Sequence, residues 1–211
     1  FGESTAQRTD TFPEYQSLLK TDGKDNNYQM TFAFGYVEKL DDPNPDKDND
    51  ASARAYRNLA TAVRRATADY RFTETPIYEK EYLGAKRPDK KIGTRIQGIK
   101  DGVQITINIV MAIDIDQIEI FAKSFAHDHD GFFSWFGHSR IGEGFAVGQL
   151  KKIMKANPEF YKLTPNYQII YWAGCNSYSY FTTPFFNLKA EINPINDPNG
   201  TKGLDIISNG L

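Results

Sequence analysis

The chain is poor in the groups that staple small folds or gather metals. It holds one cysteine, Cys175, and three histidines among 211 residues. That excludes an intrachain disulfide and any zinc site built on several cysteines, and no cofactor is called for. No apolar run approaches the roughly 18 residues that a membrane span needs. The chain opens without a basic-then-apolar leader, which leaves open one removed by processing. Basic side chains are in no excess, 25 Lys and Arg against 27 Asp and Glu for a formal charge of -2. Nothing in that balance draws the protein to nucleic acid or to an anionic membrane. The lack of a disulfide is compatible with the cytosol and does not exclude export; an exported or periplasmic location is slightly preferred, and the compartment stays open.

What is present is enough apolar and aromatic side chain for one core: 40% hydrophobic and 14% aromatic residues, in a length that suits a single domain. Residues 1–28 are polar and without sustained periodicity, so they are expected to form an extended lead-in, with a short helix near 14–20. The single folded domain is expected over 29–211. Gln29–Val37 reads as a buried strand, and Leu40–Asp50, with five aspartates, as a solvated loop. Ser52–Tyr70 reads as a helix with Tyr56, Leu59, Ala60, Val63 and Thr67 on one face, capped by Asp50 or Ser52. Residues 71–80 look extended. Thr94–Lys100 and Val103–Ile113 form a hairpin across Asp101-Gly102, the second arm alternating strictly.

Asp116 with Glu119 opens a further helix, apolar at Ile118, Phe121, Ala122 and Phe125. Then follow a strand at Phe132–Phe136, a helix at Ala146–Ala156 stopped by Asn157-Pro158, a strand at Tyr167–Ala173 and a last strand at Leu204–Ile207. Strands alternating with helices predict a three-layer α/β/α sandwich with a mainly parallel sheet, plus the β-hairpin.

Two of these segments share one design. The strand FFSWF runs into Gly137-His138-Ser139, and QIIYWA runs into Gly174-Cys175-Asn176. Each is a short apolar strand that stops at a glycine followed at once by a reactive side chain. The helix between them is what two parallel neighbours require. As neighbours, both would end on the sheet edge where open α/β folds place their ligands, about 5 Å apart if adjacent. A free thiol is only a few per cent ionised at neutral pH, and a nearby imidazole raises that fraction or takes the proton during attack. The backbone N–H groups of Ser139 and Cys175 are candidates for an oxyanion hole.

Gly137-His138-Ser139 and Ala173-Gly174-Cys175-Asn176-Ser177 resemble the two catalytic signatures of the caspase-like cysteine peptidases, the group of caspases, legumains, gingipains and clostripain-like enzymes. The resemblance covers the order of histidine before cysteine, the intervening helix and the strand contexts, over about residues 30–207. It implies a caspase-like fold and peptide-bond hydrolysis through a Cys175–His138 dyad, with a polypeptide as substrate. It also implies that residues beyond the cysteine strand line the substrate cleft, here Asn176, Ser177, Tyr178 and the aromatic run Tyr178–Phe186, with Gly137 and Arg140 beside them. Glu143 and Asp130 are weaker candidates for polar contacts. Ser139 stands where the family usually has glycine, and the caspase motif Gln-Ala-Cys-x-Gly is absent, so aspartate specificity is not implied.

Three other readings compete. Gly137-His138-Ser139-Arg140-Ile141 begins like the elbow of serine hydrolases with Ser139 as nucleophile, but the fifth position is not glycine and no histidine follows His138. His127-Asp128-His129-Asp130 carries two histidines at i and i+2, short of the three or four ligands of a zinc site; no metal is expected. A catalytically inactive caspase-like domain that binds peptides or partners is the third. Finally, the chain stops just after an apparent strand, which raises the expectation of a processed or truncated fragment, completed by a second chain or a missing C-terminal segment.

Overall fold

The computed structural model describes residues 15–19, 26–36, 43–84, 89–112, 117–126, 130–138, 147–158, 161–175 and 177–209. Seven strands form one sheet: β1 (Asn27–Gly35), β2 (Thr73–Tyr78), β3 (Lys91–Lys100), β4 (Val103–Ala112), β5 (Phe132–Phe136), β6 (Gln168–Ala173) and β7 (Leu204–Ser208). Their spatial order is β2-β3-β4-β1-β5-β6-β7. The five from β4 to β7 are mutually parallel, and the β3–β4 and β2–β3 pairs are antiparallel. Five helices accompany them among the described residues: α1 (Ala51–Ala66), α2 (Glu79–Leu83), α3 (Gln117–Phe125), α4 (Val147–Ala156) and α5 (Ser177–Ile192). The expected mainly parallel α/β architecture is therefore present.

The alternation of side chains along each strand divides the core in two. On one face, Phe34, Ile96, Ile107, Ile109 and Met111 pack under Ala53, Tyr56 and Ala60 of α1. On the other, Ala33, Val110, Phe133, Trp135, Ile170 and Trp172 meet Phe121 and Phe125 of α3, Leu150 of α4 and Phe181, Phe185 and Leu188 of α5. Helices on both faces of one sheet make the three layers.

Local chemistry explains most boundaries. The Asp50 carboxylate accepts from Ser52 N at 2.7 Å and from Ala53 N at 3.2 Å, capping α1. The helix stops at Ala66, short of the expected Tyr70. The β3–β4 turn is as its sequence demands: Asp101 and Gly102 both have positive φ, 52° and 79°, the signature of a two-residue turn that suits the twist of the strands. The strand of the hairpin begins at Lys91, earlier than expected, and β1 begins at Asn27, inside the expected lead-in, of which Tyr15–Leu19 is a 3-10 turn. The Asp116 cap and Ile113 lie outside the described residues.

Two helices escaped the sequence reading. α2 is a five-residue helix, too short to show periodicity. α5 covers YSYFTTPFF, which reads from sequence as core packing or as a wall of the cleft, with no helix assigned. Two threonines, five aromatics and Pro184 argue against a helix locally. Burial of Phe181, Phe185 and Leu188 outweighs them, each worth about 2 kcal/mol. No described helix is long and apolar enough to cross a membrane.

Candidate active site

β5 and β6 are adjacent and parallel, joined through α4, as the shared strand-glycine design requires. Their register pairs Phe136 with Ala173. One residue further along each strand stand Gly137 and Gly174, and two residues further His138 and Cys175. Both reactive residues therefore follow the carboxyl ends of adjacent parallel strands, on one edge of the sheet, each two residues past the last register pair. Both are exposed.

The alternation sets the face. A Cβ added to Gly137 would meet Trp135 Cζ2 at 2.7 Å, so position 137 still points to the α3–α5 side, like Trp135. His138 then falls to the α1 side with Phe136. On β6, Trp172 packs in the α3–α5 core, which gives Tyr171 and Ala173 to the α1 side; Cys175 lies beyond the strand, in the turn into α5. The rings of Phe136 and Tyr171 confirm a common face below the pair, edge to face at 5.6 Å.

The same register reaches β1, where Phe34 pairs with Phe136 and the two rings stack at 4.9 Å. Gly35 thus lies beside Gly137, where an added Cβ would come to 3.3 Å from the Gly35 Cα. Tyr36, His138 and Cys175 each follow the glycine that closes β1, β5 or β6. Trp135 lies under the glycines: a Cβ on Gly35 would approach its Cη2 to 2.6 Å. The glycine before His138 is required by this packing, beyond any approach to substrate. Tyr36 was not singled out from sequence, although the signal was there, since Phe34-Gly35-Tyr36 repeats the strand-glycine-side chain design. Its phenol is buried, and burial first, then the neighbouring Asp48 and Asp50, hold it far above the usual range for tyrosine; it stays protonated.

Beyond Cys175 the chain enters α5. Tyr178, in its first turn, is 65% exposed. Ser177 is different. Expected to line the cleft, it is fully buried, and its hydroxyl is engaged by backbone groups of residues 172 and 209; it supports the cysteine turn from below. The expected aromatic wall divides in the same way, Phe181 and Phe185 belonging to the core and stacking at 5.9 Å. Asp130 is also misplaced as a substrate contact, because it precedes β5 at the amino edge of the sheet. Its backbone carbonyl accepts from Gln168 Nε2 at 2.8 Å. Ser139, Arg140, Glu143, Asn176, His127 and His129 lie outside the described residues, so the oxyanion role of Ser139 and the His127–Asp130 cluster have no structural counterpart there. Among the described residues no three His, Cys, Asp or Glu side chains gather as a metal site would require.

A small open pocket lies on the same edge over the ends of β1 and β4, lined by Tyr36, Met111, Pro43, Pro45, Ile92 and Lys90 among others. It is two strands away from Cys175, with Tyr36 on the side nearer His138.

The fold class defined here is a three-layer α/β protein with paired Gly-His and Gly-Cys turns on one sheet edge. No family model matches the chain, and neither a curated protein nor a solved structure is similar to it.

Proposed function

We propose that the protein is a cysteine peptidase of the caspase-like kind, with Cys175 as nucleophile and His138 as general base and acid. The observation that supports this reading is the adjacent, parallel pairing of β5 and β6, whose carboxyl ends lead on one sheet edge into an exposed imidazole and an exposed thiol. In the reaction, His138 takes the thiol proton as Cys175 Sγ attacks the scissile carbonyl carbon. The oxygen of the tetrahedral intermediate takes up the negative charge, and backbone N–H groups at Cys175 and Ser139 are assigned to stabilise it. His138 then gives the proton to the leaving amine as the C–N bond breaks, leaving a thioester on Cys175. Water, deprotonated by His138, hydrolyses the thioester and restores the thiol.

The substrate is a polypeptide, bound along the carboxyl edge with Tyr178 exposed beside the cysteine. The buried phenol of Tyr36, neutral, lies on the same edge at the end of β1. The experiment is inactivation by a panel of peptidyl acyloxymethyl ketones bearing different terminal residues. Stoichiometric, saturable labelling of Cys175, found by intact mass and abolished in His138→Ala, is the expected result. Labelling no faster than that of free cysteine with every member would replace the peptidase reading with that of an inactive peptide-binding domain.

A further inference from the structure

The cysteine turn is not held by its own residues alone. Ser177, two positions beyond Cys175, has no solvent exposure, and its hydroxyl joins three segments. Ser177 Oγ accepts from the backbone N–H of Asn209 at 2.8 Å. It donates toward the carbonyls of Trp172 at 3.0 Å and of Asn209 at 3.2 Å. The N–H of Tyr178 also donates to the Asn209 carbonyl, at 3.1 Å. Residue 172 belongs to β6, residues 177 and 178 to the first turn of α5, and residue 209 follows β7.

One buried hydroxyl thus closes the turn 173–176 at its base and ties it to the exit of the neighbouring strand. The backbone N–H groups at the start of α5 have no partner within the helix, and a serine there commonly caps its own helix. Here the side chain instead turns back to the strand it came from and across to β7. The contact is also two-sided, since Asn209 both donates and accepts. A buried group of this kind is expensive to leave unpaired, so the three segments keep one relative position.

We infer that Ser177 is a positioning residue for the nucleophile: with Asn209 it clamps the Cys175 turn so that the thiol stays beside His138. The inference rests on the proposed dyad and deepens it by naming what sets its geometry. It also makes the exit of β7 part of the catalytic unit. Displacement of residue 209 is transmitted through one hydroxyl to the cysteine turn.

Because Cys175 is the only cysteine, its alkylation by iodoacetamide at pH 7, followed by intact mass, reports this thiol alone. The variants are Ser177→Ala, Ser177→Thr, Asn209→Pro and His138→Ala. Asn209→Pro removes the same bond from the other side while keeping the carbonyl that Tyr178 uses. Folding of each is checked by melting and circular dichroism, so Asn209→Pro carries the test if Ser177→Ala fails to fold. Ser177→Ala and Asn209→Pro are expected to slow alkylation about tenfold, their double variant no more than either single. Ser177→Thr, which keeps the hydroxyl, is expected within threefold of wild type. In peptide hydrolysis the loss should fall on kcat, with KM within threefold. If both Ser177→Ala and Asn209→Pro alkylate at the wild-type rate while His138→Ala is slow, the clamp is overturned and the dyad stands. If His138→Ala alkylates at the wild-type rate, the dyad itself fails and the positioning role goes with it.

Discussion

Phe136 and Ala173 are register partners on adjacent parallel strands, and each is followed by glycine and then by the residue on which the proposed chemistry depends. Parallel pairing keeps the two strands in step up to that point, so His138 and Cys175 leave the same sheet edge at equal offsets. A slip of one residue in either strand would turn one of the two side chains to the opposite face.

The most direct consequence concerns roles. Cys175→Ala should abolish peptide hydrolysis with the fold intact, because the thiol is exposed and its loss opens no cavity. His138→Ala should lower kcat/KM by several orders of magnitude, since nucleophile and base act as a unit. Ser139→Ala should cost less than tenfold, because only its backbone is assigned a part. A large loss in Ser139→Ala, with activity retained in Cys175→Ala, would move the nucleophile to Ser139.

The packing of Trp135 makes Gly137 intolerant. Gly137→Ala brings a methyl to 2.7 Å from Trp135 Cζ2, and the indole, fully buried, has no open direction in which to retreat. Overpacking of this kind costs about 1–3 kcal/mol. Urea denaturation should show that loss, and hydrolysis by the folded variant should fall well below wild type because His138 is the next residue. Trp135→Phe in the same chain should recover part of both.

Lys189 offers the opposite case, a stability element at the amino edge. It is buried, with Nζ donating to Thr164 O at 2.9 Å, Asn166 O at 2.8 Å and Gln168 Oε1 at 2.8 Å, and lies 5.0 Å from the centre of the Phe125 ring. Lys189→Met keeps the stem but leaves three acceptors without their donor, a cost of about 3 kcal/mol. Equilibrium unfolding should show it, while kcat per folded molecule stays within twofold of wild type. A large loss of kcat would mean that the two sheet edges are coupled.

Alkaline pH should weaken the fold through its buried phenols. Burial pushes Tyr28 and Tyr56 up to about 12 from 10.0, with Asp130 adding to the rise at Tyr28 and the Thr94 hydrogen bond opposing it at Tyr56. A raised folded-state value stabilises the protein fully below the unfolded value near 10 and loses that contribution as pH rises through 12. Each phenol should therefore remove about 2 kcal/mol between pH 9 and 11.5. Tyr56→Phe, which also gives up the 2.9 Å hydrogen bond to Thr94, should start less stable at pH 9 but decline more gently. Urea midpoints across that range measure the slope, and an unchanged slope would count against buried Tyr56 as its source.

The sequence by itself determined the elements whose signals are local. The strict alternation from Val103 to Met111, the Asp101-Gly102 turn, the Asp50 cap and the apolar faces of α1 and α3 each follow from side-chain period or backbone preference within a few residues. So did the two strand-glycine motifs and, from them, the choice of Cys175 and His138. Tertiary structure alone decided what depends on residues far apart in the chain. Which strand lies beside which put Tyr36 on the same sheet edge as His138 and Cys175. Packing against α3 and β6 made a helix of Ser177–Ile192 despite Pro184, because burying Phe181 and Phe185 outweighs a poor local propensity. Burial moved Ser177 from the cleft, where its place after the cysteine had put it, to the base of the turn. A hydroxyl reads the same in sequence whether it faces a substrate or two backbone segments, and only the neighbours brought by the fold distinguish the two.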